Sequence, residues 1–183
     1  MLTLIIRGGE LYDSKLNKFV NVKDATLQLE HSLISVSKWE SKWEKPFLTK
    51  ETKSLAETRD YVRCMTMSSN VEPIIYDFLT PDHISAVANY IDAAMTATTF
   101  RKDKSAPPNR EIMTSEIIYY WMIAYTIPFS CEKWHLNRLL TLINVCNEKN
   151  KPQKKLTQAQ IEERNKARTD LNAARLAKYH TTG

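Results

Sequence analysis

Apolar residues at the start of the chain recur at every second position. This period of two, from residue 2 to residue 6, is typical of a strand with one buried face. Gly8 and Gly9 then predict a two-residue hairpin turn leading into a second strand at 10–12. Strands at 18–22 and 25–30, joined by a short polar turn, would form a second pair. We therefore expect a small antiparallel sheet of about four strands.

After this region the apolar period becomes helical. Ser37 can cap a short helix that places Trp39 and Trp43 on one face, and Pro46 ends it. We expect both tryptophans to pack against the sheet. The alternative is that they form an aromatic binding hot spot.

Two later helices carry clear start signals. Ser54 and Glu57 match a capping box, and Thr80-Pro81-Asp82 combines a capping hydroxyl, a proline and an acidic residue. The second of these helices is expected to run to about Thr96, and a proline-interrupted apolar segment at 71–79 precedes it. The inward-facing positions predicted for the first helix are Leu55, Val62 and Met65.

The predicted centre of the core is a pair of apolar helices. Residues 96–110 are charged and contain a proline pair, which predicts a loop or a lid. The helix at 114–127 is apolar nearly all round and should be buried on several sides. Ser130 would cap the next helix, at 131–146, whose apolar stripe comprises Leu136, Leu139, Leu140 and Ile143.

The C-terminal part is different in character. Residues 149–155 form a basic linker, and Thr157 and Gln160 match a capping box that opens a terminal helix. Leu156 and Ile161 would add a hydrophobic staple to that cap. Few apolar residues follow, so this helix is suited to a projecting arm or to docking on a partner.

The elements together predict an α+β fold that is predominantly α-helical. A small N-terminal antiparallel β-sheet packs on a bundle of about five helices, and a C-terminal helical arm follows. We expect a globular domain at 1–148, with a β-rich part at 1–48 and a helical part at 49–148. The basic linker and C-terminal helix occupy 149–183.

Composition supports a soluble, intracellular globular protein. The chain of 183 residues is 43% hydrophobic and 26% charged, with only three glycines. It has no apolar run long enough to span a membrane, and its N-terminus does not match a secretion signal. Three widely spaced cysteines suit buried thiols in a reducing compartment, so we expect no disulfide.

The net charge of +5 is concentrated at one end. Residues 149–183 contain nine basic and three acidic side chains and carry +6, whereas the rest of the chain carries −1. Such asymmetry indicates an acidic partner or nucleic acid. Tyr179 is the only aromatic residue in this segment, which favours a protein surface over nucleic acid. The predicted partner-contact positions are Lys151, Lys154, Lys155, Arg164, Lys166, Arg168 and Arg175.

The chain lacks four common motifs of enzyme chemistry: a glycine-rich phosphate loop, a CxxC pair, HExxH and a nucleophile elbow. Cys131 and His135, at helical i,i+4 spacing, could act as a nucleophile pair or begin a metal site with Cys64 and His83. We favour a buried thiol and a polar imidazole instead. For the cluster Trp134, His135, Asn137 and Arg138 we favour buried hydrogen bonds and capping over phosphate binding or proton transfer. We expect no enzyme activity, no metal and no cofactor.

Two long stretches resemble a group of tailed-bacteriophage proteins. These are LEHSLISVSKWESKWEKPFL at 29–48 and IIYYWMIAYTIPFSCEKWHLNRLLTLI at 117–143. The closing LNAAR at 171–175 and the terminal Gly183 resemble the same group. The resemblance covers nearly the whole chain.

The resemblance implies a role in tail morphogenesis. Proteins of this kind are similar to tail assembly chaperones, which hold the tape-measure protein soluble while tail-tube subunits polymerise around it. It implies the tape-measure or tube protein as partner, with homo-oligomers left open, and the host bacterial cytoplasm as location during assembly. A structural virion component of the tail, baseplate or head-to-tail junction is the alternative, and a nucleic-acid-binding module is the next one.

Overall fold

The computed structural model describes residues 1–13, 17–100, 112–150 and 158–179. The chain divides into two compact units, Met1–Glu148 and Lys149–Gly183. The first unit contains four strands and the helices that pack on them, and the second contains one long helix. The predicted α+β, mainly helical class is confirmed.

Four strands form two short antiparallel sheets, each of two strands, that follow one another along a single ribbon. They are β1 (Leu2–Ile6), β2 (Gly9–Asp13), β3 (Lys18–Val22) and β4 (Ala25–Leu29). β1 pairs with β4 and β2 pairs with β3, in registers that continue each other across a short interruption. The four predicted strands are confirmed, but the predicted pairing of β1 with β2 and of β3 with β4 is wrong.

Gly8 lies at the interruption and is not in a hairpin turn. Neither it nor Gly9 has a positive φ, so the chain passes straight on from β1 to β2. A Cβ atom on Gly8 would lie 1.9 Å from the carbonyl oxygen of Val22 on the opposite strand, β3. Glycine is therefore required for close approach of two backbones and not for a turn.

Replacing Gly8 by alanine is expected to destabilise the protein by roughly 2 kcal/mol, because the ribbon must separate to admit the methyl group. Gly9→Ala is the matched control, since its Cβ would meet only the Phe78 ring, at 3.4 Å. Urea unfolding of both variants measures the difference. Equal stability of the two variants would contradict this explanation.

The first unit contains five α-helices among the described residues. They are α1 (Leu33–Trp43), α2 (Leu55–Met65), α3 (Pro81–Asp92), α4 (Ser115–Ala124) and α5 (Leu136–Asn150). Two 3₁₀ helices, Pro73–Phe78 and Phe129–Lys133, precede α3 and α5. α1 packs against α2, α4 and the second 3₁₀ helix, so α1 is central to the core, to which the predicted pair α4 and α5 also contributes fully buried residues.

The α1 helix begins earlier than predicted. Ser32 is its N-cap, and the side chains of Ser32 and Ser35 satisfy each other's backbone N–H groups. The predicted cap at Ser37 is therefore wrong, and the predicted β-rich part at 1–48 includes this helix after the last strand. Ser35 occupies the third helical position, where a capping box usually has Glu or Gln. The sequence pattern therefore did not reveal this cap.

Trp39 and Trp43 join α1 to α2. Trp39 is 1% exposed and donates from Nε1 to the carbonyl oxygen of Glu57 at 3.0 Å. Trp43 donates from Nε1 to a carboxylate oxygen of Asp60 at 2.9 Å. The two indoles therefore pack against α2, and Trp39 lies in the same buried core as the inward-facing residues of the strands. The burial of Trp39 removes it as a binding hot spot.

The predicted starts of α2 and α3 are confirmed. Ser54 and Thr80 are their N-caps, each in a capping box. Val62 and Met65 are buried as predicted, but Leu55 is exposed. α3 ends at Asp92 and not near Thr96.

The apolar helix α4 is buried on one side only. Ile118 and Met122 are fully buried, whereas Tyr120 and Ile123 are 66% and 62% exposed. The expected burial on several sides is therefore wrong. Residues 101–110 of the predicted loop lie outside the described residues.

The next helix, α5, starts at Leu136 and not at residue 131, because Trp134 is extended and a 3₁₀ helix holds residues 129–133. It continues to Asn150, beyond the predicted end at residue 146. Its predicted stripe is confirmed at Leu136, Leu139 and Ile143, which are buried. Leu140 packs partly buried against the core.

Candidate functional site

The long helix of the second unit, α6 (Gln158–Tyr179), has 22 residues. Every side chain of α6 whose burial the structure describes is exposed, including Ile161, Leu171 and Leu176. The buried core residues among those described all belong to the first unit. Local interactions favour this helix without a core, because Glu162, Lys166 and Asp170 alternate in charge at i,i+4 spacing.

The predicted contact positions divide into two groups. Arg164, Lys166, Arg168 and Arg175 lie on α6 and are exposed. Lys151, Lys154 and Lys155 lie outside the described residues, as does Thr157 of the predicted capping box.

The helix separates these basic side chains by face. A helix turns about 100° per residue, so Arg164, Arg168 and Arg175 lie within about 40° of one another. Lys166 lies about 160° away from Arg168, on the far side. The sequence prediction grouped these four residues by charge, but α6 brings only the three arginines together.

Two apolar side chains share the arginine face. Ile161 and Leu171 lie at its two edges, so the five residues occupy an arc of about 80°. The acidic residues of α6, Glu162, Glu163 and Asp170, lie outside this arc, on the side of Lys166. We call the set Ile161, Arg164, Arg168, Leu171 and Arg175 the arginine face.

An exposed apolar surface on α4 was missed by the sequence prediction. Glu116, Tyr120 and Ile123 follow one another along one side of the helix and are exposed. Phe129, which is 55% exposed, lies beside the half-buried Tyr119, with ring centroids 6.3 Å apart. Only Glu116 marks this side in a nearly uniform apolar sequence, so the hydrophobic pattern carried little signal for it.

The predicted Cys131 and His135 pair does not have helical i,i+4 geometry. Cys131 is buried in the 3₁₀ helix, and His135 precedes the first residue of α5. His135 donates from Nε2 to the carbonyl oxygen of Tyr90 at 3.0 Å and accepts at Nδ1 from the backbone N–H of Asn137 at 3.3 Å. Both ring nitrogens therefore bind backbone groups, which leaves neither for a metal or a substrate.

Elsewhere, Cys64 lines a cleft of about 330 Å³ at the start of α1, together with Glu30, Ser32 and Lys38. Burial raises the pKa of the Cys64 thiol, which disfavours the nucleophilic thiolate. In the part of the chain that the structure describes, no group of three or more His, Cys, Asp or Glu side chains could hold a metal ion.

The remaining polar residues near α5 have structural contacts. Asn137 donates from Nδ2 to the carbonyl oxygens of Ile91 and Ala93, both at 2.8 Å, and so caps the end of α3. The Arg138 guanidinium lies 4.1 Å from the ring centre of Trp134. The favoured interpretation of hydrogen bonding and capping is confirmed for Asn137 and His135.

A buried histidine cluster was not predicted. His31 is 1% exposed, its Nδ1 shares a hydrogen bond with the Tyr61 hydroxyl, and its ring centre lies 5.1 Å from that of His135. Burial, and secondarily the nearby His135, lower the pKa of His31 to about 3. The neutral ring is thus built into the core, and the sequence has no local signal for this long-range pairing.

None of the described helices combines the length and apolar character needed to cross a bilayer. Comparisons with models of protein families, with curated proteins and with solved structures found no match to this chain. The resemblance to phage tail proteins therefore stays a prediction.

Proposed function

We propose that this protein is a tail assembly chaperone of a tailed bacteriophage that binds the tape-measure or tail-tube protein during morphogenesis. The observation that carries the proposal is the exposed α6 helix, whose described side chains contribute nothing to a buried core. A helix with this exposure is suited to binding another chain along its length. The sequence resemblance supports the same role.

The exposed apolar surface of α4 also supports a binding role. Tyr120, Ile123 and Phe129 are each more than half exposed. Exposed apolar groups in one region are typical of protein interaction sites. A chaperone that contacts a long client would use more than one surface.

Deleting residues 151–183 is expected to leave the first unit folded and to abolish client binding. The buried core residues among those described all precede this segment, so the melting temperature should change by no more than about 2 °C. The measurement is co-expression with the tape-measure protein encoded by the same genome, followed by affinity capture and assay of the client in the soluble fraction.

The control is Lys166→Gln in the full chain, which removes a charge from the side of α6 opposite the arginine face and should still capture the client. Unfolding of the truncated chain would show that the segment belongs to the core. Capture that survives truncation would refute the role of the segment. Mass spectrometry of purified virions separates the chaperone from a structural component, since a stoichiometric amount in virions would overturn the chaperone proposal.

A further inference from the structure

From the arrangement of charges on α6 we infer that the arginine face binds an acidic amphipathic α-helix of the partner protein. The inference rests on the proposed binding role of α6 and names the chemistry of the partner.

The residues of the arginine face have the spacing of a helix–helix contact. Ile161, Arg164, Arg168, Leu171 and Arg175 follow one another at intervals of three and four residues. This is the interval at which one helix presents a straight line of side chains to another helix beside it. From Ile161 to Arg175 this line extends about 21 Å along the helix axis. The arginine face therefore matches about four turns of a partner helix.

The basic residues of the arginine face are all of one type. All three are arginines, whereas the basic residue on the opposite side is Lys166. A guanidinium group can donate two parallel hydrogen bonds to one carboxylate, which a lysine ammonium cannot do with the same geometry. The face is thus suited to Glu or Asp side chains spaced along a partner helix.

The apolar residues favour a protein over nucleic acid. Ile161 and Leu171 lie at the edges of the arginine face and are 41% and 62% exposed. A partner helix with an apolar strip between its acidic residues would cover both side chains. A phosphate backbone offers no apolar group to either of them, and the 149–183 segment has one aromatic residue for base stacking.

Acidic side chains on the opposite side of α6 determine which face an acidic partner can approach. Glu162, Glu163 and Asp170 all lie outside the arginine face. An acidic partner is repelled from that side and attracted to the other, so only one face of α6 is available to it.

The test uses the full chain and two matched pairs of variants. Arg168→Gln and Lys166→Gln each remove one positive charge, at positions two residues apart. Only Arg168 lies on the arginine face. Leu171→Ala and Leu176→Ala each shorten an exposed leucine, and again only the first lies on the face. Far-ultraviolet circular dichroism confirms that each variant keeps its helix content.

The probe is a synthetic helical peptide of about 22 residues, matched to the length of α6, with glutamates flanking a strip of leucines. Fluorescence anisotropy gives its affinity for the full chain. Arg168→Gln and Leu171→Ala should each weaken binding by roughly fivefold, while Lys166→Gln and Leu176→Ala change it less than about twofold. A duplex DNA of about 20 base pairs is measured in parallel.

Three results would overturn the inference. One is failure of the peptide to bind, and another is equal weakening by both members of either pair. The third is tighter binding of the duplex with no effect of Leu171→Ala, which would assign the face to nucleic acid. Because this assay does not use the tape-measure or tail-tube protein, its failure is separate from failure of client capture in the co-expression experiment.

Discussion

Acidification from pH 7 to about pH 4 is expected to lower the free energy of unfolding by roughly 3 kcal/mol through His31 alone. The pKa of His31 is 6.5 in the unfolded chain and about 3 in the folded protein. Between these values the unfolded state binds more protons than the folded state, so stability falls as the pH falls. The loss begins below about pH 6.5 and is complete near pH 3.

The physical cause is the closed surroundings of the His31 ring. The ring lies between Tyr61, Phe47 and His135, and a proton would place a charge in the core against a second imidazole. Glu57 acts in a different range: hydrogen bonds from Lys45 and Ser54 lower its pKa to about 2. Stability from Glu57 is present above about pH 4.5 and is lost as the pH falls towards 2.

Urea unfolding at intervals between pH 7 and pH 4 measures the effect. His31→Gln removes the titrating ring and is expected to be less stable at pH 7 but nearly independent of pH down to about pH 5. His83→Gln is the control, since glutamine can replace His83 in the capping box of α3 without entering the core. The explanation fails if His31→Gln retains the pH dependence of the unmodified chain.

Replacement of Glu40 by alanine is expected to destabilise the protein by about 3 kcal/mol. Glu40 is 8% exposed, and its two carboxylate oxygens accept from the backbone N–H groups of Phe47 at 2.8 Å and Ser115 at 2.7 Å. Alanine would leave both donors buried without an acceptor, at a cost of roughly 1 to 3 kcal/mol each. The melting temperature should fall by about 10 °C.

Two further variants make this test specific. Glu40→Gln keeps one acceptor oxygen but turns an amide nitrogen towards the other donor, so its stability should lie between those of the alanine variant and the unmodified chain. Glu72→Ala removes an exposed carboxylate that makes no capping hydrogen bond at the start of the first 3₁₀ helix, and should shift the melting temperature by less than about 2 °C. Equal shifts for Glu40→Ala and Glu72→Ala would show that Glu40 does not join the two segments.

Two capping signals, each contained within a few residues, predicted the structure correctly. The capping boxes at Ser54 and Thr80 start α2 and α3 where the pattern placed them, because the cap and the helix it opens are adjacent in sequence. The ends of helices were less accurate. α3 stops at Asp92 where the amide of Asn137, 45 residues later, binds its final carbonyl groups, a contact that no local pattern encodes.

The helical repeat of α6 separates basic residues that charge alone groups together. Given a helix at 158–179, the positions of Arg164, Arg168 and Arg175 on one side follow from the helical repeat alone. Counting charges placed Lys166 with them. Lys166 lies on the opposite side of the helix from the three arginines. It is therefore a control position and not a predicted contact.

The sequence by itself determined the α+β class, the strands, the starts of α2 and α3 and the concentration of positive charge at the C-terminal end, because each depends on neighbouring residues. The tertiary structure decided how the strands pair, which side of α4 is exposed and that His31 is buried against His135. Those outcomes depend on segments that are distant in sequence and meet only when apolar surface is buried, so no local pattern can specify them.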